Sequence, residues 1–233
     1  MPPPAQLRHV TLTFDDYHTR ALHQLSLDLH PAEIHGLVGA PGSGKTTVLQ
    51  LLAGILRPTE GTVRVLGQPP HTRANQARIG YVSQPDSNPP TRSTTRVWLD
   101  ALLPQRSRKT LPAHANLRTQ LAHALVKKPH LLLLDTPFAN LTSTERAELE
   151  TLLTTQARQG KAILLTARCI TDLHPLCHRL TILHDGHLQA TGTLPELLAH
   201  PDALRILAPV LPTTIRQQLI QTLHHHFQAS NKA

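Results

Sequence analysis

One stretch of nine residues constrains this chain more than any other. Residues 39–47 read Gly-Ala-Pro-Gly-Ser-Gly-Lys-Thr-Thr and fit G-x-x-x-x-G-K-[ST], the phosphate-binding P-loop. An apolar run at 34–38 precedes the motif and predicts a buried strand, and residues 48–53 predict the first turns of a helix. Because the motif needs a strand before it and a helix after it, the sequence predicts a site for a polyphosphate.

The chemistry of this site follows from its residue types. Glycines let the backbone curl so that N–H groups point inward at phosphate, and the helix N-terminus adds partial positive charge. Lys45 is expected to reach the outer phosphates, and the Thr46 hydroxyl is expected to coordinate Mg²⁺. The predicted phosphate-binding residues are Gly39, Ala40, Pro41, Gly42, Ser43, Gly44, Lys45, Thr46 and Thr47.

Length and composition narrow the class of protein. The 233 residues suffice for one large or two small domains. No stretch is long and apolar enough to span a membrane, and residues 1–6 lack the apolar core of a signal peptide, so we expect a cytoplasmic location. Cys169 and Cys177 lack the C-x-x-C spacing and are typical of structural cysteines in a reducing compartment.

Positive charge is concentrated in one part of the chain. The net charge is +8; residues 57–128 hold 12 Lys/Arg and 3 Asp/Glu (+9), and the remainder holds 11 and 12 (−1). Such a region could face an anionic membrane surface, a protein partner, nucleic acid or only solvent. Aromatic residues make up 3% of the chain, which disfavours a base-stacking surface, so no nucleic-acid partner is expected.

The hydrophobic patterns predict an α/β fold. Alternation at 10–14 and 25–29 indicates antiparallel strands before the P-loop strand. Strands predicted at 62–66, 79–82, 131–135 and 162–166 alternate with helices at 95–103, 112–126 and 143–158, which favours a mostly parallel sheet. An Asp-Gly turn at 185–186 predicts a hairpin joining 180–183 to 188–190, with a helix at 194–200 after it and an amphipathic helix at 212–227.

Four further stretches carry a family resemblance. Residues 47–67 continue the P-loop helix into a strand, 81–84 read Tyr-Val-Ser-Gln, 122–135 lead a helix into an apolar strand ending in Asp135, and 183–197 form the predicted hairpin and helix. On these stretches the chain resembles the nucleotide-binding subunit of ATP-binding-cassette (ABC) transporters over nearly its whole length.

The resemblance implies a P-loop NTPase fold with a mostly parallel core sheet, an N-terminal antiparallel β subdomain and a helical subdomain. Its implied domains are a flexible arm at 1–6, an ATP-binding domain at 7–210 with the helical subdomain at about 85–128, and a C-terminal helix and tail at 211–233. The implied partners are transmembrane permease subunits and a second ATP-binding subunit, identical or different, at the inner face of the cell membrane.

The implied cofactors are ATP and Mg²⁺. By resemblance, Asp135 holds Mg²⁺ through water, and Gln84 senses Mg²⁺ and the γ-phosphate. An aromatic side chain near the end of the first strand stacks on adenine; strand register favours Phe14, with Tyr17 as the second candidate.

Several positions depart from the family pattern. The signature segment aligns with residues 111–115, Leu-Pro-Ala-His-Ala, which lack its serine and glycines. Thr136 stands where a general-base glutamate is expected, Ala167 where a switch histidine is expected, and Thr142 where an aspartate is expected. Leu111 follows Gln84 by only 27 positions, so the helical subdomain is shortened.

These departures leave three functions open. The first is an ATP-binding transporter subunit with impaired hydrolysis. For this function, a C-terminal hairpin and helix without a long regulatory domain favour export over import. The second is a regulatory subunit that binds ATP without hydrolysing it. The third is a soluble ABC protein that acts on nucleic acid or the ribosome, which rests on the basic charge alone.

Overall fold

The structure is a computed structural model that describes residues 3–14, 19–83, 117–174, 176–200, 202, 206–207 and 210–211. Several predictions fall outside these residues: Tyr17, Gln84, the signature segment at 111–115, the short helix at 95–103 and the terminal helix at 212–227. Most of the predicted helical subdomain also lies outside them.

A six-stranded sheet forms the centre of the described fold. Its order is β5-β6-β7-β3-β8-β9, with β3 at Ile34–Val38, β5 at Ile79–Val82, β6 at Leu131–Leu134, β7 at Ala162–Ala167, β8 at Arg179–His184 and β9 at His187–Gly192. Neighbouring strands from β5 to β8 pair in parallel, and β9 pairs antiparallel with β8. The predicted mostly parallel core sheet is therefore confirmed.

A second, three-stranded antiparallel sheet has the order β2-β1-β4, with β1 at Ala5–Phe14, β2 at Thr19–Leu29 and β4 at Glu60–Val65. It confirms the predicted antiparallel subdomain. The first strand begins at Ala5, inside the segment 1–6 that was expected to be a loose arm. Ala5 is held there because it pairs with Leu29 on one side and Val65 on the other, and its side chain is fully buried.

Within the described residues, four helices lie between strands, α1 at Lys45–Leu52, α2 at Arg73–Gln76, α3 at Leu117–Val126 and α4 at Ser143–Arg158, and α5 at Leu194–Leu198 follows β9. A short 3₁₀ helix covers Ile170–Asp172. The part of the chain with described coordinates contains no helix that is both long enough and apolar enough to cross a bilayer.

Two apolar clusters lie on opposite faces of the central sheet, because successive side chains of a strand point to opposite faces. Leu131, Leu133 and Leu164 pack with α1 and the antiparallel sheet. Leu132 and Leu134 pack on the other face, with α3 and α4. All four leucines of β6 are fully buried, as expected of a parallel strand covered on both faces. This alternation decides which residues at the carboxyl ends of the strands face α1.

Candidate functional site

The P-loop connects the end of β3 at Val38 to the start of α1 at Lys45. Gly44 immediately precedes the helix with φ 98°, in the left-handed region that glycine adopts without steric cost. A Cβ atom at this position would lie 2.7 Å from the carbonyl oxygen of Ala21. The third glycine of the motif is therefore required both by its backbone angle and by the close approach of β2.

Lys45 is the cation of the loop and is 8% exposed. Its Nζ atom donates hydrogen bonds to the carbonyl oxygens of Gly39 at 2.8 Å and Ala40 at 2.7 Å, and to the Ser43 hydroxyl at 3.1 Å. Burial lowers the pKa of Lys45 to about 8, while the Asp135 charge raises it and the Arg168 charge lowers it further. The ammonium group is hydrogen-bonded to the loop itself, and a bound phosphate would compete with the loop carbonyl oxygens for these hydrogen bonds.

Asp135 follows β6 and lies beside the first turn of α1. The Thr46 hydroxyl donates a 2.8 Å hydrogen bond to its Oδ2 atom, and the Thr166 hydroxyl donates a 2.6 Å bond to its Oδ1 atom. Asp135 is 6% exposed. Its carboxylate is held by one side chain from α1 and one from β7. The two predicted metal ligands of the described chain, Thr46 and Asp135, are therefore neighbours.

This pair has the chemistry of a magnesium site. A hydroxyl and a carboxylate are hard oxygen donors of the kind Mg²⁺ binds, and Mg²⁺ commonly keeps several waters and takes further ligands from a nucleotide phosphate. Within the described ranges, no three His, Cys, Asp or Glu residues cluster in a way that could hold a metal ion by themselves. Thr46 and Asp135 would supply protein oxygens to a divalent ion that is bound together with the phosphates of a nucleotide.

Thr136 occupies the position expected for a general base and has a left-handed backbone with φ 48°. Such an angle is uncommon for a β-branched residue. Its N–H donates to the Thr166 hydroxyl at 2.8 Å, and its own hydroxyl donates to Asp135 Oδ1 at 3.2 Å. The residue after Asp135 thus presents a neutral hydroxyl turned toward the carboxylate.

Ala167, which was assigned to the switch-histidine position, faces away from the P-loop, because strand alternation turns its side chain to the other face of the sheet. Ala167 is 2% exposed and packs in the same cluster as Leu165 and Val38, on the α4 face of the sheet. Thr166, one residue earlier, points to the opposite face and reaches Asp135. The next residue, Arg168, is exposed, and its charge acts on Lys45.

Phe14 ends β1 and is 41% exposed. It pairs with Thr19, two residues before Ala21, which approaches the P-loop at Gly44. An exposed aromatic ring on this edge is compatible with adenine stacking. The choice between Phe14 and Tyr17 stays a prediction.

Thr142 stands where an aspartate was expected and serves as the N-cap of α4. Its hydroxyl accepts a hydrogen bond from the Glu145 N–H at 3.3 Å, and its own N–H donates to Glu145 Oε2 at 3.0 Å. This reciprocal capping box satisfies two backbone donors at the helix start. Threonine therefore keeps the capping function that an aspartate side chain would also provide.

Two parts of the site were missed by sequence reasoning. Thr166 was predicted only as part of a strand, because no local pattern marks its hydroxyl as a member of the site. The 185–186 turn was predicted only as a hairpin turn. In the structure, Gly186 donates its N–H to Ser43 O at 3.1 Å and accepts from His23 N–H at 3.0 Å, so the hairpin braces the P-loop against β2.

Comparison with known proteins gives a consistent result. A family model described as ABC transporter matches residues 22–139. The chain is 32% identical to Nod factor export ATP-binding protein I of Paraburkholderia xenovorans, over 84% of this chain and 74% of that protein. The protein of the same name from Burkholderia thailandensis is 31% identical over 93% of this chain and 80% of its own length.

Solved structures share the fold. CbiO1 from Clostridium perfringens, described as part of the ABC transporter complex cbiONQ, superposes with a TM-score of 0.66 at 21% identity, covering 88% of this chain and 94% of that one. A dimeric ATP-binding cassette in a post-hydrolysis state, bound to ADP and Pi, gives a TM-score of 0.65 at 22% identity, covering 82% and 98%. At these identities the likeness establishes the fold alone.

Proposed function

The chain belongs to the ABC transporter family as an ATP-binding subunit, and from this premise we propose that it binds MgATP at an interface with a second ATP-binding subunit and gates or drives transport while hydrolysing ATP slowly. The observation that carries the proposal is the Thr46–Asp135 hydrogen bond of 2.8 Å, next to a Thr136 that carries no carboxylate. The groups expected to bind phosphate and Mg²⁺ lie together, whereas threonine replaces the glutamate that is expected to act as the general base.

The P-loop, Lys45 and the Thr46–Asp135 pair support binding. Backbone N–H groups at the start of α1 and the Lys45 ammonium would contact phosphate oxygens, and Mg²⁺ would add charge neutralisation between them. Gln84 would join the metal site, and Phe14 or Tyr17 would stack on adenine. The bound state requires Lys45 to exchange its hydrogen bonds to Gly39 and Ala40 for bonds to phosphate.

Slow hydrolysis follows from the residue at position 136. A threonine hydroxyl does not act as a general base near neutral pH, and losing such a base typically costs about 10²–10⁴ in rate. The altered segment at 111–115 would weaken the contact with ATP on the opposite subunit. A regulatory subunit that binds ATP and changes shape without turnover is the second candidate function, and the Thr136 hydroxyl favours it equally.

The partners we propose are permease subunits and a second ATP-binding subunit, at the cytoplasmic face of the membrane. CbiO1 is described as part of a complex with further components, and two relatives are named for Nod factor export. Export is therefore the direction we propose. The basic region at 57–128 would lie near the membrane-facing side or the permease contact.

The proposal is tested by measuring ATP binding and ATP turnover on the same purified chain. We expect ATP to bind with Mg²⁺, turnover to stay near background, and Lys45→Ala to abolish binding. Brisk turnover that Lys45→Ala abolishes would contradict slow hydrolysis. Absence of any nucleotide binding in the unmodified chain would contradict the function as a whole.

A second variant separates a missing base from a site altered in several places. Thr136→Glu alone is expected to leave turnover near background, because the 111–115 segment also departs from the family pattern. Recovery of ATP turnover to a normal rate would show that the residue at position 136 alone accounts for the slow hydrolysis. A pull-down from membranes with and without ATP would then identify the partner and test whether its binding depends on nucleotide.

A further inference from the structure

Two histidine rings lie stacked where the β8–β9 hairpin meets β2. The ring of His23, in β2, is parallel to the ring of His187, the first residue of β9; their centroids are 4.2 Å apart and their planes differ by 5°. His23 is half-buried and His187 is exposed. The proposed binding of ATP uses neither side chain, so this pair is a separate feature that needs its own explanation.

Hydrogen bonds connect this pair to the P-loop. The His23 N–H donates to the Gly186 carbonyl oxygen at 3.0 Å, and the Gly186 N–H donates to the Ser43 carbonyl oxygen at 3.1 Å. The Ser43 hydroxyl in turn accepts a hydrogen bond from Lys45 Nζ at 3.1 Å. Three successive contacts therefore lead from the strand that carries His23 to the cation expected to bind phosphate.

The packing around these hydrogen bonds is tight. A Cβ atom on Gly186 would lie 2.6 Å from the Ala21 carbonyl oxygen and 3.0 Å from Cδ2 of the His23 ring. A Cβ atom on Gly44, in the P-loop, would lie 2.7 Å from the same Ala21 oxygen. Because one backbone segment of β2 contacts both the turn and the loop, a shift of β2 relative to the hairpin also disturbs the P-loop.

The charge of the two rings depends on pH. Histidine changes charge between pH 5 and 8, and two imidazolium ions this close repel each other. Burial, together with the charges of His187 and Arg20, lowers the pKa of His23, so the stacked arrangement favours the neutral ring. At the turn, His184 pairs with His187 across the hairpin, and Asp185 lies 3.5 Å from His184. The Asp185 carboxylate offsets only part of the positive charge that acid adds here.

We propose that the stacked pair of His23 and His187 is a proton-sensitive clasp that holds the 185–186 turn against Ser43 when the rings are neutral and weakens the binding of MgATP when both are protonated. This inference rests on the proposed function and adds regulation by pH to it. Repulsion between the charged rings would move β2 away from the hairpin, and the P-loop would lose the support of the Gly186 N–H. Attraction between charged rings and the phosphates of ATP would act in the opposite direction, so the sign of the effect decides between the two.

The clasp is tested by titrating the unmodified chain, His187→Phe and His187→Lys with MgATP at about pH 7.5 and about pH 5.5, on either side of the histidine titration. His187→Phe keeps an aromatic ring without charge, and His187→Lys keeps a positive charge at both pH values. Two unit charges about 4 Å apart in water repel by an amount worth about fivefold in affinity. The unmodified chain should therefore lose about two- to fivefold more affinity in acid than His187→Phe does. His187→Lys should bind MgATP more weakly than the unmodified chain at about pH 7.5.

His130→Phe is the matched control. His130 is an exposed histidine directly before β6, at the opposite end of the parallel sheet from the P-loop. This variant should keep the pH dependence of the unmodified chain, and the protonation of ATP itself is common to all the chains compared. His23→Phe repeats the test from the other ring, and thermal unfolding at both pH values checks that each chain is folded.

The outcomes separate this inference from the proposed function. If the unmodified chain binds ATP and both Phe variants at positions 23 and 187 keep its full pH dependence, the clasp is overturned and the ATP-binding function stands. Equal or tighter binding by His187→Lys overturns it in the same way. If the unmodified chain binds no ATP at either pH, both are overturned. A reduced pH dependence in His187→Phe, absent in His130→Phe, together with weaker binding by His187→Lys, supports the clasp.

Discussion

The Thr166 hydroxyl donates a 2.6 Å hydrogen bond to the carboxylate of Asp135; Thr166 lies in β7, and Asp135 directly follows the adjacent parallel strand β6. Thr166 is fully buried and also accepts the Thr136 N–H at 2.8 Å. The Thr166 hydroxyl therefore orients the Asp135 carboxylate of the proposed metal site and also holds the backbone of Thr136, which has a left-handed φ angle. The carboxyl ends of β6 and β7 are joined at the point where the nucleotide phosphates are proposed to bind.

Thr166→Val should reveal this double role. The substitution keeps the shape of the side chain but leaves the Asp135 carboxylate and the Thr136 N–H without this partner. We expect a loss of about 1–3 kcal/mol in the free energy of unfolding and weaker MgATP binding. Urea unfolding and nucleotide titration measure the two effects. Thr166→Ser, which keeps the hydroxyl, should lose less on both counts; equal losses would contradict the hydrogen-bond role.

Thr46→Val should separate metal binding from phosphate binding. The Thr46 hydroxyl donates to Asp135 in the structure and is the proposed Mg²⁺ ligand. We expect the gain in ATP affinity that Mg²⁺ produces to fall about tenfold or more, since a coordinating oxygen is lost. Affinity measured with EDTA should change by less than about twofold. The same titration on Thr62→Val, at an exposed threonine of β4, is the control; a loss in EDTA as large as that in Mg²⁺ would show that Thr46 acts only on the fold.

Gly44→Ala and Gly42→Ala form a matched pair in the same loop. Both glycines have left-handed backbones, with φ 98° and 81°, so both variants should lose about 1–2 kcal/mol from backbone strain. A Cβ atom on Gly42 meets nothing within 4 Å, whereas one on Gly44 lies 2.7 Å from the Ala21 oxygen. Denaturant unfolding should therefore show a larger loss of unfolding free energy for Gly44→Ala than for Gly42→Ala. Equal losses would contradict this, because they would mean that the Ala21 backbone in β2 moves aside without an energetic penalty.

Glu33 should contribute a pH-dependent part of the stability. Its carboxylate is 8% exposed and lies 3.4 Å from His35 Nδ1 and 3.9 Å from Arg179 Nε. Burial raises the pKa of Glu33, but the polar contact with His35 and its charge, with the charges of His30 and Arg179, together lower it below 4.5. Burial, together with the charge of Glu33, raises the pKa of the Cys177 thiol.

The sign of this effect follows from linkage. A carboxylate whose pKa is lower in the folded state stabilises that state above its ordinary pKa of 4.5, and the contribution disappears as the pH falls through the folded value. Glu33→Gln should therefore reduce the slope of unfolding free energy against pH below about 4.5. Chemical denaturation from pH 3 to 7 measures it, with the exposed Glu60→Gln as control; identical slopes in all three chains would contradict the prediction.

Strongly patterned elements were predictable from sequence. The helix at Ser143–Arg158 and the strand at Ile79–Val82 have the bounds that the patterns indicated. The first strand does not: it begins at Ala5, because its limit is set by pairing with Leu29 and Val65. Strand ends depend on partners that are distant in the chain, and local alternation does not report them.

The candidate site divides in the same way. Lys45, Thr46 and Asp135 could be identified because a contiguous motif and the end of an apolar run mark them. Thr166 could not, since nothing local distinguishes its hydroxyl from that of any strand threonine until β6 brings Asp135 beside it. The face on which Ala167 lies was not predictable either, because a shift of one residue along β7 reverses the face of every side chain, and the structure places Ala167 on the α4 face.

The sequence by itself determined the P-loop, the α/β class and the family, since these depend on residue types at short, regular spacings. Only the tertiary structure decided which side chains converge on Asp135, which face of β7 meets the P-loop, and that the 185–186 turn braces Ser43. The physical reason is that strand pairing joins residues far apart in the chain, such as Asp135 and Thr166. A shift of one residue along a strand exchanges buried and site-facing positions.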